Sequence, residues 1–324
     1  MPAQSSAVAA RESLTVRAAA KLNLSLAVLE RRPDGYHEIE SLMVPVSLHD
    51  TLVVRATDNP GITLRVRSAG TLATAAGRVL AGDVPTDGRN LVVRAAEALA
   101  AEAGIAQGLE IDLVKEIPAG SGLGGGSSDA AATLMAAARV WGLDWTPERL
   151  AALGARIGSD IPWFFAGGSA IASGRGEVLD PVTDIPPLPA VIVRPAAGLS
   201  TAAVYGQCTP DPARRGDAAR LASALARGDG RTAATLMHNA LEAPARKLCP
   251  DVDRLLDALA RAGAAAPRLT GSGSACFALT RTATEARGIA ARLEAQRRPD
   301  GSRLWPGVYV VRLATARRPT AAAT

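Results

Sequence analysis

The sequence predicts an α+β fold in two units, and three observations carry the prediction. Residues 14–67 read as a succession of strands separated by turn residues. The middle of the chain sets one strand, a glycine-rich loop and then two helices in a row, which breaks the strand–helix–strand alternation of a doubly wound sheet. Beyond Pro195 the composition shifts, and helices alternate with strands. At 324 residues the chain exceeds what one compact core usually organises, and the expected units are residues 1–194 and 195–324.

Leu14–Leu29 is rich in Val and Leu and reads as a strand interrupted near Ala18–Lys21. Arg31-Arg32-Pro33-Asp34-Gly35 is a turn, after which Tyr36–Leu48, Asp50–Arg55 and Ile62–Arg67 are extended. A helix is expected over Asn90–Ala103, where Leu91, Ala95, Leu99 and Ala103 share one face. Leu109, Ile111 and Leu113 alternate with polar residues and give a strand over Leu109–Glu116. The helix after the glycines is placed at Ser128–Trp141. Another starts at Thr146-Pro147-Glu148, a capping residue followed by proline, and ends near Gly158. Short strands follow at Ser169–Ala172, Glu177–Val182 and Ala190–Val193. In the second unit helices are expected at Ala218–Arg227, Arg231–Leu241, Asp251–Arg261 and Glu285–Ala295, with strands at Ala275–Thr280 and Gly307–Leu313. Residues 1–12 read as a frayed arm and Arg317–Thr324 as a disordered tail.

Aromatics make up 3% of the chain, so the core is expected to be built from small side chains, and each ring near a motif is informative. The formal charge of +5 is modest and dispersed, with no basic block interleaved with aromatics, which argues against a nucleic-acid partner. Cys208, Cys249 and Cys276 are odd in number and widely spaced, unlike a disulfide framework or a structural zinc site. No stretch approaches 18 apolar residues and no apolar leader core is seen near the N-terminus, so a soluble cytoplasmic protein with no membrane partner is expected.

Pro118-Ala119-Gly120-Ser121-Gly122-Leu123-Gly124-Gly125-Gly126-Ser127-Ser128 is the strongest motif. Glycines let a backbone approach a ligand closely, and the loop lies between an expected strand and an expected helix. Its N–H groups, together with the helix N-terminus, suit phosphate oxygens. Ser127 and Ser128 are expected to cap the helix. No lysine follows the glycines, so this is no Walker A loop, and no acidic residue closes a following strand as a dinucleotide fold requires. A flexible linker is the other reading, and the flanking strand and helix weigh against it.

Lys21 and Asn23 alternate onto one strand face of an apolar run, and Asp160 stands in the apolar context Gly158-Ser159-Asp160-Ile161-Pro162-Trp163-Phe164. A buried carboxylate needs a partner, and a lysine beside it would be one. Taken singly, Lys21 reads as a snorkelling lysine and Asp160 as a cap or turn residue.

Three ordered blocks resemble the GHMP kinases: Ala20–Leu24 with Arg31–Glu38, Pro118–Ala131, and Leu269–Phe277; Gly158–Phe164 adds a fourth. Arg-x-Asp-Gly-Tyr-His resembles in particular the branch serving non-mevalonate isoprenoid synthesis, whose acceptor is the 2-hydroxyl of a cytidine diphosphate methylerythritol. The resemblance implies a two-domain fold: an N-terminal ribosomal-S5-like ATP-binding domain and a C-terminal ferredoxin-like α/β sandwich, with the active site between them. It also implies ATP and Mg²⁺ as cofactors and no obligate protein partner. Asp160 matches the catalytic aspartate, Lys21 the lysine that pairs with it, and Asn23 a substrate contact. Tyr36 and His37 match the pair that grips cytosine, and Tyr205 the ring on the base's other face. Thr270, Gly271, Ser272 and Gly273 would form a second glycine turn behind the loop that shapes the acceptor pocket. Ser25 and Glu30 depart from the pattern without touching this chemistry, and no metal ligand is assigned. Homoserine, mevalonate or galactose kinases would share the loop without the Arg-x-Asp-Gly-Tyr-His block. A non-catalytic nucleotide-binding protein of the same fold would have no need of Lys21 and Asp160.

Overall fold

The structure is a computed structural model that describes residues 13–314 and 322–323. The expected arm at residues 1–12 lies outside the described residues. So does most of the expected tail, although Ala322–Ala323 form a short strand.

The chain opens with two long antiparallel strands, β1 (Ser13–Arg31) and β2 (His37–Thr57). The interruption expected near Ala18–Lys21 is a register shift between Ala19 and Lys21 within one continuous strand, and this bulge re-aims the residues after it. Tyr36–Leu48 and Asp50–Arg55, expected as two strands, are a single strand. Its two halves carry different neighbours, which is why it runs on: Ile39–Met43 pair with one later strand and Thr51–Thr57 with another.

Next come β3 (Ile62–Ser68), a short α1 (Arg78–Ala81), α2 (Leu91–Ala103), β4 (Gly108–Lys115), α3 (Gly125–Val140) and α4 (Pro147–Ala155). Asn90 caps α2 by accepting from the Val92 N–H, and Thr146 caps α4 by accepting from Arg149. Strands β5 (Ala170–Gly174) and β6 (Val178–Pro181) complete the first sheet, whose main order is β11-β1-β2-β4-β3, β11 being Ala322–Ala323; β5 hangs on β2, and β6 on β5. One face of this sheet packs Leu52, Val54, Ile111 and Leu113 against α2 and α3. Helix α3 buries Ala130, Ala131, Ala132, Ala136, Ala137 and Ala138. These small side chains let it lie between the sheet and its neighbouring helices at interior packing density.

The second sheet has the order β10-β7-β9-β8, from β7 (Pro189–Arg194), β8 (Arg268–Leu269), β9 (Cys276–Leu279) and β10 (Gly307–Arg312). The strand closing the expected first unit, β7, is thus hydrogen-bonded into the second sheet. Helices α5 (Thr201–Gly206), α6 (Asp217–Ala226), α7 (Gly230–Leu236), α8 (Glu242–Leu248), α9 (Pro250–Arg261) and α10 (Ala283–Glu294) accompany it. Alternation along β7 splits its burial. Ile192 joins Phe277, Tyr309 and the first-sheet residues Leu22, Leu24 and Val44 in one core, while Val191 and Val193 face Leu255 and Ile289 of α9 and α10 in another. The first of these cores spans both sheets and fixes the cleft between them. No helix among the described residues is long and apolar enough to cross a membrane.

Candidate active site

The chain leaves β4 at Lys115, crosses Pro118–Leu123 and enters α3 at Gly125, three residues before the expected start. Gly124 makes the entry with φ +73° and no side-chain cap, a conformation that costs glycine little. Ser127 and Ser128 therefore sit inside the first turn and cap nothing, a correction to the expected role. Helix geometry leaves the N–H groups of Gly125, Gly126 and Ser127 without intrahelical acceptors, and all three residues line the cleft. A helix end of this kind suits an anion.

The loop is braced on several sides. Ser121 O accepts from the Ala275 N–H at 3.1 Å, and Leu123 O accepts from the Lys21 N–H at 2.9 Å. Arg194, buried at the end of β7, donates to Ala119 O at 2.9 Å. The turn Thr270–Ser274 lies directly behind: a Cβ on Gly122 would stand 2.2 Å from Thr270 O. Thr270 is fully buried, and its hydroxyl accepts from the Asn23 N–H.

Beside the loop opens a cleft of about 1160 Å³. It brings together Lys21, Asn23, Tyr36, His37, Asp160 and Tyr205 with most of the glycine loop and with Gly271 and Ser272. Leu123, Ser128, Thr270 and Gly273 do not line it. Leu123 is turned into the core shared by the two sheets, and Ser128 is buried in α3. These four support the surface rather than forming it.

Lys21 is buried, and its ammonium donates to Asn23 Oδ1 at 2.5 Å. The expected partner, Asp160, forms no ion pair with it and acts through space. Burial pushes the Lys21 pKa below the ordinary lysine value, and the Asp160 charge opposes that shift. Asp160 lies in the turn before Pro162, part-exposed, and its charge also reaches Tyr205, whose phenol is pushed up chiefly by burial. His37 and Tyr205 meet with ring centroids 5.3 Å apart. Tyr36 is exposed, with the Arg175 guanidinium 4.9 Å from its ring centre.

Sequence reasoning missed a buried cluster at the foot of the loop. Lys115 Nζ donates to Asp50 Oδ2 and, at 2.7 Å, to Asp129 Oδ2. Asp50 Oδ1 accepts the N–H groups of Glu116 at 2.6 Å and Ile117 at 2.9 Å. Asp50 thus ties the ammonium to the two residues that lead into the loop. The signal was present: Lys115 falls on the apolar face of its strand with Leu109, Ile111 and Leu113, and Asp50 on that of Leu48, Leu52 and Val54.

The site can hold a polyanion on oriented N–H groups beside a buried lysine and an available carboxylate, the equipment of phosphoryl transfer. Residues 90–168 match the family described as "GHMP kinases N terminal domain", and residues 221–298 match "GHMP kinases C terminal". The chain is 42% identical over 281 residues to a 4-diphosphocytidyl-2-C-methyl-D-erythritol kinase of Pelotomaculum thermopropionicum, covering 86% of this chain and 93% of that protein. A kinase of the same name from Deinococcus radiodurans is 41% identical over 87% of this chain and 89% of its own length. A crystal structure of 4-(cytidine 5'-diphospho)-2C-methyl-D-erythritol kinase superposes with a TM-score of 0.69 at 33% identity, over 93% of this chain and 100% of that one. A homoserine kinase from Cytophaga hutchinsonii, with a TM-score of 0.72 at 20% identity over 97% and 98% of the two chains, shares the fold.

Proposed function

Because the chain belongs to the 4-diphosphocytidyl-2-C-methyl-D-erythritol kinases, a branch of the GHMP kinases, we propose that it phosphorylates the 2-hydroxyl of 4-diphosphocytidyl-2-C-methyl-D-erythritol from ATP. This is a step of non-mevalonate isoprenoid precursor synthesis. The observation that carries the substrate half is the contact of His37 with Tyr205 on the wall of the cleft that also holds the glycine loop. Tyr36 and Tyr205 would flank cytosine while His37 hydrogen-bonds its edge.

The triphosphate lies on the N–H groups of Gly125, Gly126 and Ser127, within the loop Pro118–Ser128. Asp160 takes or directs the proton of the acceptor hydroxyl. The oxygen then attacks the γ-phosphorus, the bond from that phosphorus to the bridging oxygen breaks, and ADP leaves. Lys21, oriented by Asn23, offsets the negative charge that builds up between the carboxylate and the transferring group. Gly271 and Ser272 close the acceptor side. Residues 1–194 supply the loop, Lys21 and Asp160, and residues 195–324 supply Tyr205 and the second glycine turn.

The donor set fits Mg²⁺ carried in by the nucleotide. No cluster of three or more metal-ligating side chains occurs among the described residues, and this ion is commonly held by phosphate oxygens, water and one or two carboxylates. Asp160, which has no ion-pair partner among the described residues, is a carboxylate available to it. When bound, the metal would offset negative charge on the triphosphate. The same reading puts the protein in the cytoplasm, which its three free cysteines support, and requires no membrane, nucleic-acid or protein partner.

The test is ADP release from Mg-ATP with the cytidine diphosphate acceptor, run beside mevalonate, homoserine and galactose. Turnover with the first alone is expected. Turnover with another acceptor would keep the loop assignment and discard the account of Tyr36, His37 and Tyr205.

A further inference from the structure

The cluster at the foot of the phosphate loop holds two carboxylates against one ammonium. Asp50 is fully buried, Asp129 is 2% exposed and Lys115 5%. Every oxygen of the pair is accounted for except one. Asp50 uses both of its oxygens, and Asp129 Oδ2 accepts from Lys115, but Asp129 Oδ1 is buried with no hydrogen-bond partner among the described residues. Lys115 and Asp129 line the cleft, whereas Asp50 does not. Asp129 is the fifth residue of α3, just past its first turn and two residues past the last free N–H donor. With all three groups ionised, a net negative charge would lie buried where the triphosphate is to bind, unfavourable both for burial and for an anionic ligand.

We propose that Asp129 meets the nucleotide as a neutral carboxylic acid, with its Oδ1–H turned to the cleft and its position fixed through Lys115 and Asp50. The inference rests on ATP occupying the glycine loop. In this form Oδ1 is a hydrogen-bond donor for an oxygen or nitrogen of the nucleotide, Oδ2 still accepts from Lys115, and the cluster is electrically neutral. Asp50 and Lys115 are positioning residues, since they act through Asp129 and through the N–H groups of Glu116 and Ile117, just ahead of the loop, that Asp50 accepts.

The electrostatics agree with the geometry. Burial pushes the Asp129 pKa up to about 8, with Lys115 opposing the shift and Asp50 reinforcing it. Lys115 is held above the ordinary lysine value: burial alone would lower it, but Asp129 and Asp50 outweigh that. The other elements packed on α3 bring little to compete. β1 contributes Lys21, engaged with Asn23, while Arg94 and Glu97 of α2 and Glu148 and Arg149 of α4 are exposed. At neutral pH the proton stays on Asp129. Above about pH 8 it leaves, and the cleft gains a negative charge facing ATP.

The test is direct titration with a non-hydrolysable ATP analogue between pH 6.5 and 9.5, on the wild type and Asp129→Asn. For one linked proton the wild-type Kd rises roughly tenfold per pH unit above the titration. Asp129→Asn, neutral throughout, is expected to lose that rise whatever its absolute affinity. Should this variant fail to fold, calorimetry of the wild type at pH 9 in buffers of differing ionisation heat is expected to show uptake of close to one proton on binding. A flat wild-type profile, a rise that persists in Asp129→Asn, or binding without proton uptake overturns the inference. Gly122→Ala separates this from the premise. If distorting the loop leaves nucleotide affinity intact, the placement of ATP fails; if affinity falls in Gly122→Ala while Asp129→Asn keeps the pH rise, only the protonation of Asp129 fails.

Discussion

Alanine at Gly122 probes how tightly the two glycine turns are fitted together. Gly122 has φ +80°, and its Cβ would stand 2.2 Å from Thr270 O and 3.0 Å from the Gly273 N. Ordinary contact begins near 3.4 Å, so two backbone segments must separate by about 1.2 Å, with no flexible side chain to absorb the change. A displacement of about 1 Å at a reacting centre costs on the order of 10²-fold in rate. Gly120→Ala is the matched control: its φ is +57°, but nothing lies within 4 Å of the added methyl. That variant meets only the left-handed backbone penalty, roughly 1 kcal/mol. ADP release at varied ATP, with thermal melts to establish that each variant is folded, is the assay. Gly122→Ala is expected to lose about 10²-fold in kcat/KM for ATP, and Gly120→Ala no more than about fivefold. Equal losses in the two would refute the argument, because the packing of Thr270 behind the loop would then not set the loop's geometry.

Other expectations follow from the same cleft. Asp160→Ala should lower kcat by roughly 10²–10⁴-fold, the range for lost proton-transfer help; a folded variant with near-normal turnover removes Asp160 from that role. Tyr36→Ala should raise KM for the cytidine substrate and leave KM for ATP unchanged, and equal losses for both ligands would contradict the stacking assignment. Lys21 carries its charge only below its lowered pKa, so at saturating ATP the alkaline limb of kcat/KM for the acceptor should fall at lower pH than an ordinary lysine, about 10.4. Lys21→Arg, always charged, should move that limb up while lowering kcat; a wild-type limb at or above the ordinary value would sink the assignment.

The residues proposed to meet ligand were legible because their chemistry is local. A glycine run between a strand and a helix has few uses. Lys21, Asn23 and Asp160 stand out as polar groups in apolar runs, and Tyr36 and His37 sit in a block that few proteins need. What the alternation could not supply was partnership. Lys21 turned to Asn23, two residues away, and left Asp160 to act at longer range. Lys115 took Asp50 and Asp129, 65 and 14 positions distant. The buried positions of Lys115 and Asp50 could be read from their strands, but which groups neutralise each other is decided where strands and helix converge.

The start of α3 follows the same division. Intrinsic propensity disfavours glycine in a helix, so a reading from the sequence begins the helix at Ser128, after the glycines. The fold begins it at Gly125, because side chains at Gly124 and Gly125 would meet Lys21, Phe164 and Ile117 within 3.1 Å, and only bare backbone fits there. The sequence by itself determined the class of fold, and it singled out the glycine loop and the groups proposed to react. The tertiary structure decided which N–H groups face the cleft, which carboxylate lies buried with one oxygen unpartnered, and how closely two glycine turns approach. Those quantities depend on contacts between residues far apart in the chain, where packing and burial override local preference.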